Sequence, residues 1–402
     1  MHDVVVVGGG PAGCHAATLL AQKGFDVHVL EEHSVLGEPV DCSGVIGAES
    51  FDTLGLASSL KLGEIASLTL VSPAGLQVRF TPQSPLAYIV DRAAFDRAIG
   101  RKTAAAGAKI RLGYRVVDLE VYADRVEAVF QEIGSGKWEG KRRKMAARVA
   151  ILAGGPRYSI QQKLGMGEPG EFLRTAQAEV PLQRMEETRV LLGSQTAPKS
   201  FAWVVPFKRG SEFFARIGVS SKSNPRPYAR ALLERLDAAG HLKSADVPIR
   251  SWVIPLKPIP RTYGERVLAV GDAAGQTKPT TGGGIFYGLL CAEAAVRTAA
   301  LAFEKGTFDA ATMKLYEREW RSKLGREVRI GSFFRRLAER LTDKEIDDLF
   351  RVVRSDGVLS AIREKARFDW HKDVVYFALR HPALGRIFLR RIFGKNRAPT
   401  AT

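Results

Sequence analysis

The segment Asp3-Val4-Val5-Val6-Val7-Gly8-Gly9-Gly10-Pro11-Ala12-Gly13 constrains this chain more than any other. Four consecutive valines read as a buried parallel strand, because β-branched side chains suit a pleated surface covered on both faces. Gly8, Gly10 and Gly13 then follow the spacing of a dinucleotide-binding turn. In such a turn the first glycine permits a sharp exit from the strand and the second lets a pyrophosphate approach the backbone. The third lets the next helix pack closely on the sheet. Pro11 and Ala12 lead into that helix, whose free N–H groups and positive dipole end face the phosphates. The pattern predicts a helix over Cys14–Lys23, closed by Gly24, and a second strand at Val27–Glu31. The chain therefore opens with a βαβ unit.

Glu31 ends the second strand, 18 residues after Gly13. A carboxylate there accepts hydrogen bonds from an adenosine ribose and repels a 2′-phosphate, which argues against NADP at this site. Glu32 is the competing ribose ligand. A second cradle lies about 260 residues further on. The short strand Val267–Val270 delivers Gly271-Asp272-Ala273-Ala274-Gly275. Pro279-Thr280-Thr281-Gly282-Gly283-Gly284 then leads into a long helix starting at Ile285. Asp272 at a strand's carboxyl end suits a hydroxylated chain crossing the sheet, and the glycine-rich helix start suits an anion. A reduced flavin carries such an anion. One FAD stretched between the two cradles accounts for both.

The remaining patterns predict an α/β protein. An alternating hairpin is expected over Leu68–Phe80 around Ser72–Gly75, with a further strand at Ala87–Val90. A helix over Asp91–Gly107 precedes strands at Lys109–Leu112, Arg115–Tyr122, Arg125–Ile133 and Val149–Leu152. Strands at Thr175–Leu182, Arg189–Leu192, Ser200–Pro206 and Glu212–Val219 suggest a separate antiparallel sheet. The last hundred residues read as helical, with a capping box at Thr342–Glu345. The expected organisation is a Rossmann-like FAD-binding domain (1–62, 91–160 and 255–305), an inserted antiparallel-sheet substrate domain (63–90 and 161–254) and a helical basic C-terminal region (306–402).

Composition narrows the partners. Cys14, Cys42 and Cys291 are far apart and odd in number, so neither a disulfide framework nor a zinc site is suggested. The seven histidines show no metal-ligand spacing, and no metal is expected. No stretch approaches the roughly 18–20 apolar residues of a spanning helix, Ile285–Phe303 being interrupted by Glu293 and Arg297. The net charge of +17 is uneven: Arg321–Thr402 holds 20 Lys and Arg against 10 Asp and Glu. No nucleic-acid motif accompanies it. In Val374–Arg391, Val374, Val375, Phe377, Leu379, Ile387, Phe388 and Leu389 mix with Arg380, Arg386, Arg390 and Arg391. Such a segment suits either an anionic membrane surface or packing within the protein. The expected location is the cytoplasm, free or peripheral on the inner face of the membrane.

Gly8–Gly13, Glu31, Asp41-Cys42-Ser43-Gly44, Asp91-Arg92 with Phe95-Asp96, and Gly271–Gly284 occur in this order. Together they resemble the geranylgeranyl reductase family of the para-hydroxybenzoate hydroxylase superfamily, over residues 1 to about 305. The resemblance implies noncovalent FAD and reduction of carbon–carbon double bonds in a polyprenyl lipid or a prenyl quinone side chain, by hydride transfer from reduced flavin. It implies that Arg92 lies near the FAD phosphates and ribityl region, Asp272 on the ribityl hydroxyls, and Cys42, Ser43 and Gly44 close to the flavin, with Cys42 a proton donor or gate. Two segments depart from the pattern. Ala153-Gly154-Gly155 replaces the usual Asp-Gly, which speaks against direct reduction by NADPH. The electron donor stays open among NADPH, ferredoxin and another carrier. The substrate motif reads Phe201-Ala202-Trp203-Val204-Val205-Pro206, in which Trp203 and Pro206 match while Phe201, Val205 and the later Arg216 do not. Phe201, Trp203 and Pro206 are the candidate prenyl-lining residues. The alternatives are a flavin monooxygenase acting on an aromatic or lipid substrate, and a membrane-peripheral flavoprotein passing electrons to quinone.

Overall fold

The valine run lies in the middle of an eight-stranded sheet. A computed structural model describes residues 1–40, 42–132, 141–355 and 357–393, the last five as backbone only. Asp41 lies outside the described residues, as do the side chains of Leu389, Arg390 and Arg391. The strand His2–Val7 pairs in parallel with Val27–Glu31 on one side and Arg143–Leu152 on the other. Lys109–Leu112 and Val267–Ala269 extend the parallel set outward. Val126–Glu132 and Tyr114–Val121 add an antiparallel extension. Val4, Val5 and Val6 are fully buried, each contributing roughly 1.5–3 kcal/mol of hydrophobic stabilisation.

The helix Pro11–Gln22 follows the first turn and packs against the long helix Ile285–Lys305. Gly288 makes that approach possible, since a Cβ there would lie 3.3 Å from the Ala12 Cβ. Contrary to the expectation drawn from Glu293 and Arg297, Ile285–Lys305 is, among the described residues, the one helix long and apolar enough to cross a membrane, and 67% of its apolar window is buried inside the protein. Its apolar length is thus used in packing. Cys14 and Cys291 lie on these two helices, and burial pushes the Cys14 thiol up to about 12 and that of Cys291 well above its ordinary value.

The chain divides into two units: residues 1–62, 88–173 and 253–328, and residues 63–87, 174–252 and 329–402. The division differs from the expected three parts because the helical end is split. In the first unit, Ala310–Ala338 begins by packing Tyr316 and Trp320 into the core, both at most 1% exposed. In the second, Asp347 accepts from the Ser72 hydroxyl (2.5 Å) and the Ala74 N–H (3.0 Å), while Asp343 accepts from Ser194. The capping box forms at Thr342 and Glu345 and starts the helix Asp343–Val353. Part of the basic charge is neutralised within this unit, where Arg335 and Lys222 both pair with Glu339.

The second unit carries most of a seven-stranded sheet. Phe172–Pro181, Glu212–Ser221, Ala202–Arg209 and Arg189–Leu191 pair antiparallel in that order, and Arg189–Leu191 runs parallel to Leu68–Val71. The helix Arg226–Ala238, an addition to the expected strands, covers one face through Ala229, Leu232 and Leu233. The expected strand Ala87–Val90 pairs with Val45–Gly47 and not with the 68–80 hairpin.

Candidate cofactor site

Three strand ends of the first unit meet at the carboxyl edge of the parallel sheet. Val7 is level with Leu152, and Leu152 with Ala269, so Gly8, Ala153 and Gly271 leave the sheet side by side. In open α/β sheets this edge is where ligands bind. Gly8 has φ +104°, and a Cβ there would strike the Ala153 carbonyl. A Cβ on Gly13 would strike the Gly8 carbonyl. Backbone and packing therefore dictate these two glycines.

Gly10 differs. Its φ of −70° suits any residue, and a Cβ there would meet nothing within 4 Å. Neither conformation nor packing needs glycine at this position, which leaves open space against the N-terminus of Pro11–Gln22. That N-terminus has no side-chain cap and no acid in its first turn. The helix Ile285–Lys305, started by Gly284, is bare in the same way. By contrast, Asp91 caps Arg92–Ala105 by accepting from the Ala94 N–H at 3.0 Å. Two helix N-termini thus stand without a capping side chain from their own N-cap glycine and without an acid in the first turn, and their dipoles favour an anion. Gly271 lies between them, its Cβ position 3.1 Å from Ala12. The residues present fit a dinucleotide with a second anionic end.

Glu31 is 8% exposed and reaches back to the turn. It accepts from the Gly9 N–H at 2.6 Å, from the His33 N–H at 2.9 Å and from the His33 ring at 2.5 Å. Burial alone would push its carboxyl up, but the His33 and Gly9 hydrogen bonds outweigh it and hold the carboxyl below its ordinary value. An ionised acceptor at this position is what ribose hydroxyls require. Glu32 turns elsewhere, pairing with Arg157 and approaching Arg115 at 3.8 Å. The His33 ring lies between the two acids, close to Glu31 and 3.9 Å from Glu32.

Asp272 sits in the tight turn Gly271–Ala274. Its Oδ1 lies 2.6 Å from where a Cβ on residue 284 would be, so Gly284 is required for this approach. Burial pushes the Asp272 carboxyl up to about 6, against the opposing pull of Arg92. The turn is fastened from behind. Tyr158 donates to the Asp272 carbonyl (2.8 Å), and Gln276 accepts from the Gly271 N–H (2.9 Å) while donating to Tyr316 (2.7 Å). Tyr316 in turn donates to the Ala269 carbonyl (2.6 Å). These supporting side chains, like His33, have no sequence motif of their own.

Arg92 forms a two-toothed ion pair with Asp96 at 2.8–3.2 Å and also bonds Cys42. Burial opposes its charge, but Asp96 and then Cys42 outweigh burial and hold the guanidinium well above its ordinary value. The Gly44 N–H meets the Cys42 Sγ at 3.4 Å, and the Gly44 carbonyl accepts from the Val90 N–H, which ties Cys42-Ser43-Gly44 to the strand leading into Arg92. The electrostatic influence of Arg92 on Asp272 links this group to the second cradle. Gly282 and Gly283 wrap Lys278, with backbone bonds Lys278 N to Gly283 O and Gly282 N to Lys278 O.

The three substrate candidates lie in the second unit and do not act together. On Ala202–Arg209, residues alternate between faces. Ala202 and Val204 enter the core beneath Arg226–Ala238, and Pro206 shares their face. Trp203 faces the other way, 6.0 Å from the Phe201 ring, with its Nε1 donating to Gln177 at 3.1 Å. Pro206 does not share the face of Trp203, because its spacing of three along the strand puts it on the opposite side. Gly218, two residues after Arg216, lies against Trp203: a Cβ there would collide with the indole.

Comparison with known proteins agrees with this geometry. The FAD binding domain family matches residues 1–328. The digeranylgeranylglycerophospholipid reductase of Methanocaldococcus jannaschii is 30% identical over 361 residues, 87% of this chain and 90% of the relative. Digeranylgeranylglycerophospholipid reductase 2 of Methanothermobacter thermautotrophicus is 31% identical over 360 residues, 87% and 91%. The solved structure of a geranylgeranyl bacteriochlorophyll reductase-like protein from Thermoplasma acidophilum has the same fold, with TM-score 0.82, 20% identity and coverage of 96% and 98%. The two cradles and these matches define a flavoprotein, with FAD as its cofactor. The chain belongs to the geranylgeranyl reductase family of FAD-dependent oxidoreductases.

Proposed function

We propose that this chain saturates carbon–carbon double bonds in a polyprenyl lipid of the geranylgeranyl type. The reading rests on its similarity, over 87% of its length, to two archaeal proteins named for reducing digeranylgeranylglycerophospholipid. Reduced FAD, when bound, supplies a hydride to one alkene carbon. Gly10 and the bare helix end behind it hold the pyrophosphate, Glu31 the ribose hydroxyls and Asp272 the ribityl chain. Cys42 is the proposed proton source for the second carbon, its Sγ held by the Arg92 contact. Phe201 and Trp203 offer apolar surface to a prenyl chain, which has little else to bind.

The test is to reduce the protein chemically without oxygen and incubate it with prenyl diphosphates, prenylated glycerophospholipids and menaquinone. Products heavier by two hydrogens are expected from a prenylated substrate. Fast flavin reoxidation by menaquinone, with every prenyl chain left intact, would move the assignment to electron carrier. Oxygen-dependent hydroxylation with NADPH would move it to monooxygenase. Cys42→Ala is expected to keep its FAD while slowing prenyl reduction about a hundredfold or more. Single-turnover flavin reoxidation measures this, and an unchanged rate returns Cys42 to a packing role.

A further inference from the structure

A separate polar cluster lies at the opposite, amino-terminal edge of the parallel sheet, about 20 Å along the first strand from the glycine turn. His2 opens that strand, Asp26 immediately precedes the second strand, and His28 lies within it. The His2 Nδ1 meets Asp26 Oδ2 at 2.6 Å, and the His28 Nε2 lies 3.4 Å from Asp26 Oδ1. The two imidazole centroids are 3.8 Å apart. His28 is 1% exposed, and both its ring nitrogens are buried without a hydrogen-bond partner. A buried polar ring left unsatisfied is costly, so such a group asks for a ligand. One donor atom from each of the three residues falls within 4.8 Å of the others, the one such group among the described residues.

We infer that His2, Asp26 and His28 bind one divalent cation of the zinc type. Two imidazole nitrogens with one carboxylate oxygen suit zinc, whereas magnesium and calcium prefer oxygen alone. Donors around one zinc ion stand about 3–3.5 Å apart. The His28–Asp26 distance already meets this spacing, and the partly exposed His2 ring sits against both, 2.6 Å from the Asp26 carboxylate. Lys109 holds Asp26 at 3.2 Å from a side chain that is 61% exposed, so it can yield to an entering ion. The ion would give His28 its missing partner and cross-link the two strands that carry the glycine turn and Glu31.

The experiment uses the full chain without an affinity tag, stripped with chelator and titrated calorimetrically with zinc chloride. One zinc per chain and a melting temperature that rises with zinc are expected. Asp26→Ala and His28→Ala should each weaken binding by about tenfold or more. Lys109→Ala, which removes the competing cation, should tighten it several-fold. Asp26 is exposed, so Asp26→Ala keeps the test valid should the buried His28→Ala variant fail to fold. Wild-type protein that takes up no zinc, or binding that survives Asp26→Ala unchanged, overturns the inference.

Discussion

Gly10→Val is expected to yield a folded, colourless protein. The ground is a disagreement between what the polypeptide needs at this position and what a ligand needs. For the chain alone, residue 10 has an ordinary extended conformation and open space on its side-chain face. Replacing glycine at a compatible site reduces the freedom of the unfolded chain, so the cofactor-free variant should be as stable as wild type or up to about 1 kcal/mol more stable. For the pyrophosphate, the same space is the binding site. An isopropyl group there should cost more than about a hundredfold in FAD affinity, or about 2.8 kcal/mol. The measurements are flavin absorbance of the purified variant and thermal melting of both proteins after FAD removal. A yellow variant with one FAD per chain refutes the placement. Gly8→Val is the useful contrast, since its positive φ and the nearby Ala153 carbonyl make that change destabilising with or without cofactor.

Asp272→Asn should move stability and affinity in opposite directions. The carboxyl of Asp272 titrates near 6 in the folded chain instead of near 3.8, because burial disfavours its charge more than Arg92 favours it. The folded state therefore binds the proton more tightly than the unfolded state. Below about pH 4 the group is protonated in both states and imposes no cost. As pH rises from about 4 through 6 the folded chain comes to carry a half-buried charge, and stability falls by roughly 1–3 kcal/mol. Asparagine carries no charge to bury. Cofactor-free Asp272→Asn should match wild type at pH 4 and exceed it at pH 8, by urea denaturation. The variant should bind FAD about tenfold or more weakly, since a charged acceptor for hydroxyls is lost. A pH-independent difference between the two proteins would show that the buried charge is not the cause.

Much of the cofactor unit was legible in the chain because its signals are local. A valine run, three glycines at fixed spacing and an acid at the next strand's end all fall within residues 3–31, and the structure forms that βαβ unit. The Gly271–Gly284 stretch is equally local: it forms the Gly271–Ala274 turn at one end and starts the helix Ile285–Lys305 at the other. The substrate candidates were less legible. Phe201, Trp203 and Pro206 fall together in sequence, but the twofold alternation of a strand sends Pro206 to the other face. The helical end read as one region, yet it is divided near residue 328, because burial of Tyr316 and Trp320 serves one core and the Asp343 and Asp347 contacts serve another.

By itself, the sequence determined the class of ligand. Backbone conformation at glycines, charge at Glu31 and Asp272, and helix starts without caps are properties of short segments, and they specify a dinucleotide wherever they are placed. Tertiary structure alone decided how those segments are held and what else meets. Tyr158 reaches the Asp272 turn from 114 residues away, and Tyr316 reaches Gln276 and Ala269 beside it from 40 and 47 residues away. Arg92 meets Cys42 through the pairing of Gly44 with Val90. His2 approaches His28 because parallel pairing sets two strand starts side by side. Such contacts depend on register and packing between distant segments, and no periodicity within one segment records them.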